Sequence, residues 1–382
     1  MADTYMLEPD VGFIKDVAKL GGGDLKKCYQ CATCSVACPI SPDNKPFPRK
    51  EMIAASWGLK DRLVTNHDIW LCHNCGDCTT LCPRGAKPGE VLGAIRAYTV
   101  REYATPQAIS KAIANPKMLP VLLAIPAVIF IALGLILKAF GINWINFSPH
   151  AGEIWQGHFI NNYLVDVIMI PTFFGSIAVF ALGLKRFLTD IHASAIAEGK
   201  ALDEKIDIAR IVKALLRVVL TVIQHNKFKE CGENKKRATA HLLVLFSFIG
   251  LFIVTNCFFV AEWVLHIEGP YSQLSPVKWL GNIAGVALVV GSLLLWKNRV
   301  AQKDQGSSYW DWYLIGLVFA LGLTGMVTQI ARLGGMAGLS YTIYFLHLMF
   351  VWSLFAYTPF SKLAHLVYRT VSMTYAEYTN RP

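Results

Sequence analysis

Charge is scarce in this sequence. Only 16% of its 382 residues are Asp, Glu, Lys or Arg, against roughly 25% in ordinary soluble chains. With 54% apolar residues, that scarcity excludes a disordered or fibrous protein and argues against a wholly soluble one. The start, MADTYMLEPDVGF, has neither a basic leader nor an apolar core. No signal peptide is therefore expected, and the first part should stay in the cytoplasm, where thiols remain reduced and disulfides are rare. The formal charge of +10 would by itself suit nucleic acid, an anionic membrane or an uneven membrane topology.

The charge that exists is unevenly placed. Residues 1–117 hold 15 Lys/Arg, 12 Asp/Glu and eight of the ten cysteines. They read as a soluble, mainly α domain. Residues 118–382 carry six stretches of the roughly 20 apolar residues needed to cross a bilayer, at about 119–140, 160–184, 240–264, 278–296, 310–331 and 340–360. The last is expected to continue as helix to about Arg369. With the amino terminus inside, the inner segments 185–239, 297–309 and 361–382 hold 18 Lys/Arg, whereas the outer loops hold only Arg332. Basic residues collect on the cytoplasmic side of membrane proteins, so both termini and the soluble domain are expected there, on a bacterial or archaeal cytoplasmic membrane. Residues 203–223 are interrupted by Arg210, Lys213 and Arg217 at helical spacing. They are expected to form an amphipathic helix on the inner leaflet and not a seventh span. No nucleic acid is needed to account for the charge.

The cysteines repeat. Cys28, Cys31, Cys34 and Cys38-Pro39 are matched by Cys72, Cys75, Cys78 and Cys82-Pro83. Three cysteines at two-residue intervals can wrap one face of a cubane, and the fourth, followed by proline, leaves that wrap for the other cluster. Crossed ligation of two [4Fe–4S] clusters follows: Cys28, Cys31, Cys34 and Cys82 for cluster one, and Cys72, Cys75, Cys78 and Cys38 for cluster two. Zinc takes four ligands in two pairs, which this pattern does not offer. Helices are expected from Arg49 to Lys60 and near Asp68. Cys231 and Cys257 follow no ligand spacing.

Eight histidines follow residue 117: His150, His158, His192, His225, His241, His266, His347 and His365. His347 and His365 are 18 residues apart. On one continuous helix that is five turns and about 27 Å, which puts both on one face, one per leaflet. Two b-type haems stacked across the membrane would use such a pair, because neutral imidazole is a common axial ligand. His241 matches the depth of His365 and is expected as its partner at the inner haem. For the outer haem, His158 and His266 are both open as partners of His347, as are His150 and a five-coordinate iron. Outer-face groups that could serve a quinone are Glu262, His266, Lys278, Arg332 and Tyr341, with Lys278 and His266 the first candidates. Arg84, Lys87, Arg96 and Arg101 are basic residues that could dock a partner.

These residues resemble known parts. The cysteine-bearing half is similar to the C subunit of heterodisulfide reductases. The membrane half resembles their cytochrome b subunit and the gamma subunit of respiratory nitrate reductase, whose last helix carries two histidines at the separation of His347 and His365. The fusion resembles the C subunit of quinone-interacting membrane-bound oxidoreductase complexes. That resemblance implies an α-helical two-cluster ferredoxin domain followed by a six-span helical bundle of cytochrome b type. It also implies electron exchange among menaquinone, haem b and two [4Fe–4S] clusters, and onward transfer to flavin- and iron–sulfur-containing partner subunits that feed adenylylsulfate reductase in sulfate respiration. Lys278 stands where the gamma subunit has a lysine serving the quinol. The sequence departs from that gamma subunit in two ways: it has a sixth span, and Leu251 stands where a second histidine occurs there. Two other readings fit the motifs: the membrane arm of a heterodisulfide or dissimilatory sulfite reductase-linked complex, and a haem-free anchor for an iron–sulfur partner. The direction of electron flow is not encoded in spacing, because potentials depend on burial and hydrogen bonds.

Overall fold

In the computed structural model, every regular element among the described residues is a helix, apart from one isolated bridge between Ile145 and Ile160. The structure describes residues 7–42, 46–147, 153–199, 205–224, 235–301 and 308–380. His150, His225 and Cys231 lie outside them.

The amino-terminal part holds α1 (Val11–Val17), α2 (Thr33–Val36), α3 (Arg49–Ser56), α4 (Lys60–Val64), α5 (Asp68–Leu71), α6 (Asp77–Thr80), α7 (Pro88–Tyr103) and α8 (Gln107–Ile113). The expected 49–60 helix ends at Ser56, and Gly58 turns the chain with a left-handed φ of 69° before α4. The axis is α7. Proline at its first position fits a helix start, where no N–H is missed. Val91, Leu92, Ala94, Ile95 and Tyr98 are buried on it at helical spacing, and α1, α4, α5 and α6 pack around it.

Six helices are long and apolar enough to cross a membrane. They lie in α9 (Leu119–Ala139), then, after the short α10 (Gln156–Phe159), α11 (Asn162–Ala197), and, beyond α12 (Ile208–Gln224), α13 (Lys235–Trp263), α14 (Pro276–Ala301), α15 (Tyr309–Leu333) and α16 (Ala337–Tyr357), which α17 (Ala364–Tyr378) follows. Helices α13 to α16 pack in chain order, and α11 and α9 lie against α16.

Two elements differ from expectation. Apolar length ends the second span near residue 184, yet α11 runs 36 residues to Ala197. At ~1.5 Å per residue that is about 54 Å, well beyond a hydrocarbon core of about 30 Å. The last span is not continuous through Arg369. It breaks after Tyr357 into a 3-10 turn, Thr358–Phe360, and Ser361 is extended before α17 begins. Pro359 lacks the N–H a continuing helix needs. The five-turn relation between His347 and His365 therefore does not hold.

Both departures build one platform. The overhanging end of α11 and all of α17 run into the cysteine-bearing half, and the two halves share one core. Phe187, Ile191, Ala195, Tyr368 and Tyr375 are buried together with Trp70, Ile95 and Tyr103. Trp70 stacks on Tyr368 at 5.5 Å, with Phe187 set edge-on to both. Arg186 donates to the Tyr103 carbonyl at 2.5 Å and to Thr105 Oγ1 at 2.8 Å, and Tyr103 Oη donates to Asp190 at 2.8 Å. Gly183 permits the close approach: a Cβ there would meet Tyr368 Oη at 2.8 Å and the Tyr103 carbonyl oxygen at 3.0 Å. A boundary at residue 117 marks a change of composition and not a mechanical division.

Helix α12 completes the platform. Ala214 and Val218 are buried on it, and Arg217 pairs with Glu377 at 3.1 Å while the Arg210 guanidinium lies 4.9 Å from the Tyr378 ring. The expected polar face thus meets α17. Ile208, Val212, Leu216 and Leu220 are exposed at four-residue spacing, an apolar stripe suited to lie in a leaflet.

Phe187→Ala is expected to cost about 3–5 kcal/mol and to loosen the junction before either half unfolds. Hydrogen exchange should quicken in α5 and α7 while α14 and α15 keep their protection.

Candidate electron-transfer site

The two cysteine repeats fold alike. In each, the second residue after the first cysteine and the residue after the second cysteine have left-handed backbones: Gln30 (φ 61°) and Ala32 (φ 68°), then Asn74 (φ 53°) and Gly76 (φ 96°). These turns curl the loop around its own sulfurs, and Asn74 N–H donates to Cys72 Sγ at 3.3 Å. A short helix follows each loop, α2 and α6, and the two pack together. The fourth cysteine is carried across that contact. Cys28, Cys31, Cys34 and Cys82 line one concavity together with Arg49 and Arg84. Cys38, Cys72, Cys75 and Cys78 line a second, of about 390 Å³ including its mouth, with Phe47, Pro48 and Gly89. Ala86 N–H donates to Cys82 Sγ at 3.4 Å.

The thiols are crowded. Burial pushes Cys34 up to about 11, and the Cys28, Cys31 and Cys82 charges add to it. Burial pushes Cys78 up to about 12, with Cys72 and Cys38 as the next contributions. Cys31 is exposed, and a hydrogen bond with the Thr33 hydroxyl lowers its thiol. Among the described residues, no three His, Cys, Asp or Glu side chains converge on a single-ion position. A zinc held at ~2.3 Å by each thiolate needs such convergence, whereas a cubane spreads its four cysteines around a larger body. The donor set therefore fits two [4Fe–4S] groups better than zinc. Cys257 is exposed on α13.

The second concavity adjoins the membrane half. The Cys72 carbonyl accepts from Arg96 Nη1 at 3.3 Å and from Arg369 Nη1 at 3.2 Å. Arg96 belongs to α7 and Arg369 to α17. His365 lies one turn before Arg369 on α17, and the charges of Lys362, Arg96 and Arg369 lie near its ring, with Lys362 itself paired with Asp311. Its Nδ1 is 3.0 Å from the Lys362 carbonyl oxygen, which can only accept. The neutral ring thus carries its proton on Nδ1 and its lone pair on Nε2. The same holds at His347, half-buried near the middle of α16. Thr324 Oγ1 gives its proton to the Ala320 carbonyl at 2.6 Å, so it accepts from His347 Nδ1 at 3.0 Å. A Cβ at Gly325 would stand 3.0 Å from His347 Cε1. Fixing Nδ1–H in this way orients a metal-binding imidazole and frees Nε2, so both rings fit an axial haem ligand.

The other histidines fall elsewhere. His241 is exposed near the start of α13, a helix that packs along α14. His158 is exposed on α10, its ring 4.9 Å from Trp155. Its neighbour Gln156 donates to Ser340 Oγ at 3.1 Å. Ser340 is seven residues before His347, about 10 Å along the axis. His158 is too shallow to face His347. His266 is exposed on the loop after α13, with φ 53°. His192, which no sequence pattern singled out as a site, is buried at the junction with Nδ1 2.9 Å from Tyr375 Oη.

At the end of the bundle far from the iron–sulfur half, Lys278 Nζ lies 5.3 Å from the Phe258 ring centroid, and Phe258 stacks on Tyr271 at 4.4 Å. Gln329 donates to Gln273 at 2.7 Å. Arg332 keeps a buried Nε without a hydrogen-bond partner, as Tyr341 keeps its hydroxyl. Glu262 instead meets α11, accepting from Asn162 at 2.8 Å, beside Asp166, which accepts from Trp263 at 2.7 Å. Asp166, Gln273 and Gln329 were not singled out by the sequence, although a lone Asp in an apolar span is a usable signal. Of the four basic residues suspected of docking, Arg96 and Arg101 turn inward, to the Cys72 carbonyl and to Asp16, and Lys87 pairs with Asp24 and Glu90. Arg84 alone of them is exposed.

Comparison with known proteins agrees with this geometry in its first half. The 4Fe-4S dicluster domain profile matches residues 24–86, which defines that part as a two-cluster electron carrier. The chain is 36% identical over 89 residues to a protein of Archaeoglobus profundus described as like the C subunit of heterodisulfide reductase, covering 23% of this chain and 47% of the relative. It is 34% identical over 84 residues to the C subunit of the H(2):CoB-CoM heterodisulfide,ferredoxin reductase of Methanothermobacter marburgensis, covering 22% and 45%. The chain thus spans about half the length of these curated relatives. A third likeness runs nearly end to end: 27% identity over 376 residues to citrate utilization protein B of Escherichia coli, covering 91% of this chain and 89% of the relative. No solved structure matches the chain.

One buried acid beside this site predicts a pH dependence. Glu51, 1% exposed, accepts from Asn66 at 3.3 Å and lies 3.5 Å from Lys50. Burial raises it to about 7, against the opposing Lys50 charge. A raised carboxyl is protonated more readily in the folded state. Its stabilising contribution is complete below its ordinary 4.5 and is lost as pH rises through about 7. The iron–sulfur half should lose up to about 3 kcal/mol between about pH 5 and 8, and Glu51→Gln should remove most of that loss in denaturant titrations at the two pH values.

Proposed function

We propose that this chain is the membrane subunit of a quinone-linked oxidoreductase, passing electrons between menaquinone, b-type haem and two [4Fe–4S] clusters, and on to flavin- and iron–sulfur-containing partners. The observation that carries the proposal is the junction at Cys72, where Arg369, one turn from His365, and Arg96 grip the carbonyl of one cysteine from both halves. The dicluster match supports the iron–sulfur half of this reading, and the imidazoles with their Nδ1 held by hydrogen bonds are consistent with the haem half.

Each residue has a role. Cys28, Cys31, Cys34 and Cys82 would hold cluster one; Cys72, Cys75, Cys78 and Cys38 would hold cluster two. His365 and His347 would each present Nε2 to a haem iron, with His241 the candidate partner of His365. Arg96 and Arg369, whose charges lie near the His365 ring, would suit the anionic propionates that a haem carries, while Lys362 is paired with Asp311. Cubanes and haems, when bound, supply one-electron chemistry, so a quinol's two electrons separate at the quinone site. Lys278, with the Arg332 charge near it, is the first candidate there, and exposed His266 the second. Asp166 and Glu262 offer carboxylates at the same end to take released protons. Adenylylsulfate reductase as final acceptor rests on resemblance alone.

A second reading is favoured by the end-to-end likeness to citrate utilization protein B: the same conduit, serving an enzyme of carboxylate metabolism. The enzyme that co-purifies separates the two.

A reduced-minus-oxidised visible spectrum tests the haem assignment. A b-type α-band is expected in the intact chain, and His365→Ala should lower haem content and stop quinol-driven cluster reduction. Unchanged haem in the variant would overturn the role of His365. Cys82→Ser should remove one cubane signal and Cys38→Ser the other; loss of the same signal in both would refute crossed ligation.

A further inference from the structure

The two cysteine sets face different surroundings. Cys72 and Cys78 are buried, and the second set lies beside Arg369 and the membrane half. Cys31 of the first set is exposed. Tyr29 is 68% exposed, Val36 87% and Leu81 57%. Val36 ends α2 and Leu81 follows α6, and these two helices pack together, so each repeat exposes an apolar side chain beside that contact. Folded proteins rarely leave such groups together unless something covers them. Basic groups rim this surface: Arg84 lies 4.1 Å over the Tyr29 ring, Arg49 lines the concavity, and Lys26 is exposed. The nearby acid, Asp24, is taken up by Lys27 at 2.5 Å and Lys87 at 3.7 Å.

We infer that the Tyr29–Val36–Leu81 surface, with its Arg84, Arg49 and Lys26 rim, is the docking face for an acidic one-electron redox protein, which exchanges electrons through the Cys28–Cys31–Cys34–Cys82 set. The inference rests on the proposal that this set holds a cubane. Charge complementarity selects the partner: an apolar contact ringed by carboxylates meets this face, whereas a basic protein is repelled. An anionic bilayer is the less suited occupant, because the cysteine bonded to the membrane half is Cys72, of the other set.

The test uses the full-length chain in nanodiscs, reduced with dithionite, and two soluble oxidants of opposite charge: an acidic plastocyanin and a basic cytochrome c. In each encounter one electron leaves a reduced cubane and enters the copper or haem of the oxidant. Cubane content is read first by electron paramagnetic resonance; a chain without cubanes sinks the functional proposal itself. With cubanes present, the plastocyanin rate should fall as salt rises and the cytochrome c rate should rise. Arg84→Glu combined with Lys26→Glu should lower the plastocyanin rate at least tenfold at low salt and raise that of cytochrome c. Val36→Glu should slow plastocyanin more than cytochrome c, while Lys111→Glu, exposed on α8 near the membrane half, should change neither rate. Rates that do not depend on salt, or that the rim variants leave unchanged, would overturn the docking face.

Discussion

The Cys72 carbonyl is the point on which the two halves of this molecule depend. It accepts from Arg96, which belongs to the iron–sulfur half, and from Arg369, which belongs to the end of the membrane half. Hydrogen bonds from charged donors are the stronger kind, and here two of them fix the backbone of a cysteine. The arrangement needs α17 to leave the line of α16, and the break at Pro359 provides that. It also needs α11 to overhang the bilayer, so that Phe187 and Ile191 reach the core around Trp70. A continuous last helix would have no reason to meet Cys72.

The same junction gives the molecule a direction in space. The Cys72 set is bonded to the membrane half through Arg369; in the other set Cys31 is exposed. The crossing of the fourth cysteine between the repeats makes the two sets neighbours, as the proximity of Cys34 to both Cys82 and Cys78 reflects. At the far end of the bundle Lys278 lies against Phe258 and Gln329 donates to Gln273, and Asp166 and Glu262 accept from Trp263 and Asn162 where α11 meets α13. Polar groups are costly at membrane depth, and these lie at helix ends, where a quinone head group and its protons could be met.

The sequence spoke clearly where chemistry dictates spacing. Eight cysteines at fixed intervals pointed to a dicluster domain, which the profile matches over residues 24–86, and the fold gathers them in two concavities, with Cys82 in the first and Cys38 in the second. Apolar length announced six spans. It spoke poorly where tertiary contact decides. The overhang of α11 reads as one more amphipathic stretch after residue 184. The break before α17 was hidden because a single Pro359 after an apolar run can kink, end or merely begin a helix. His365 was found for a reason that the break removes, yet its pinned Nδ1 and its cationic surroundings supply a different one. His158 was suggested by its position in the chain, and the depth of α10 against Ser340 argues against it. His192, Asp166 and Gln329 needed the fold, since their neighbours come from distant segments.

Relaxation of the two reduced cubanes in the presence of oxidised haem, followed by pulsed electron paramagnetic resonance on the intact chain, measures the junction directly. One cubane should relax faster because a paramagnetic haem iron lies close by, and it should be the signal missing in Cys38→Ser. If neither cubane senses a haem, or if the one that does is the signal missing in Cys82→Ser, the junction at Cys72 is not where the membrane and iron–sulfur halves exchange electrons.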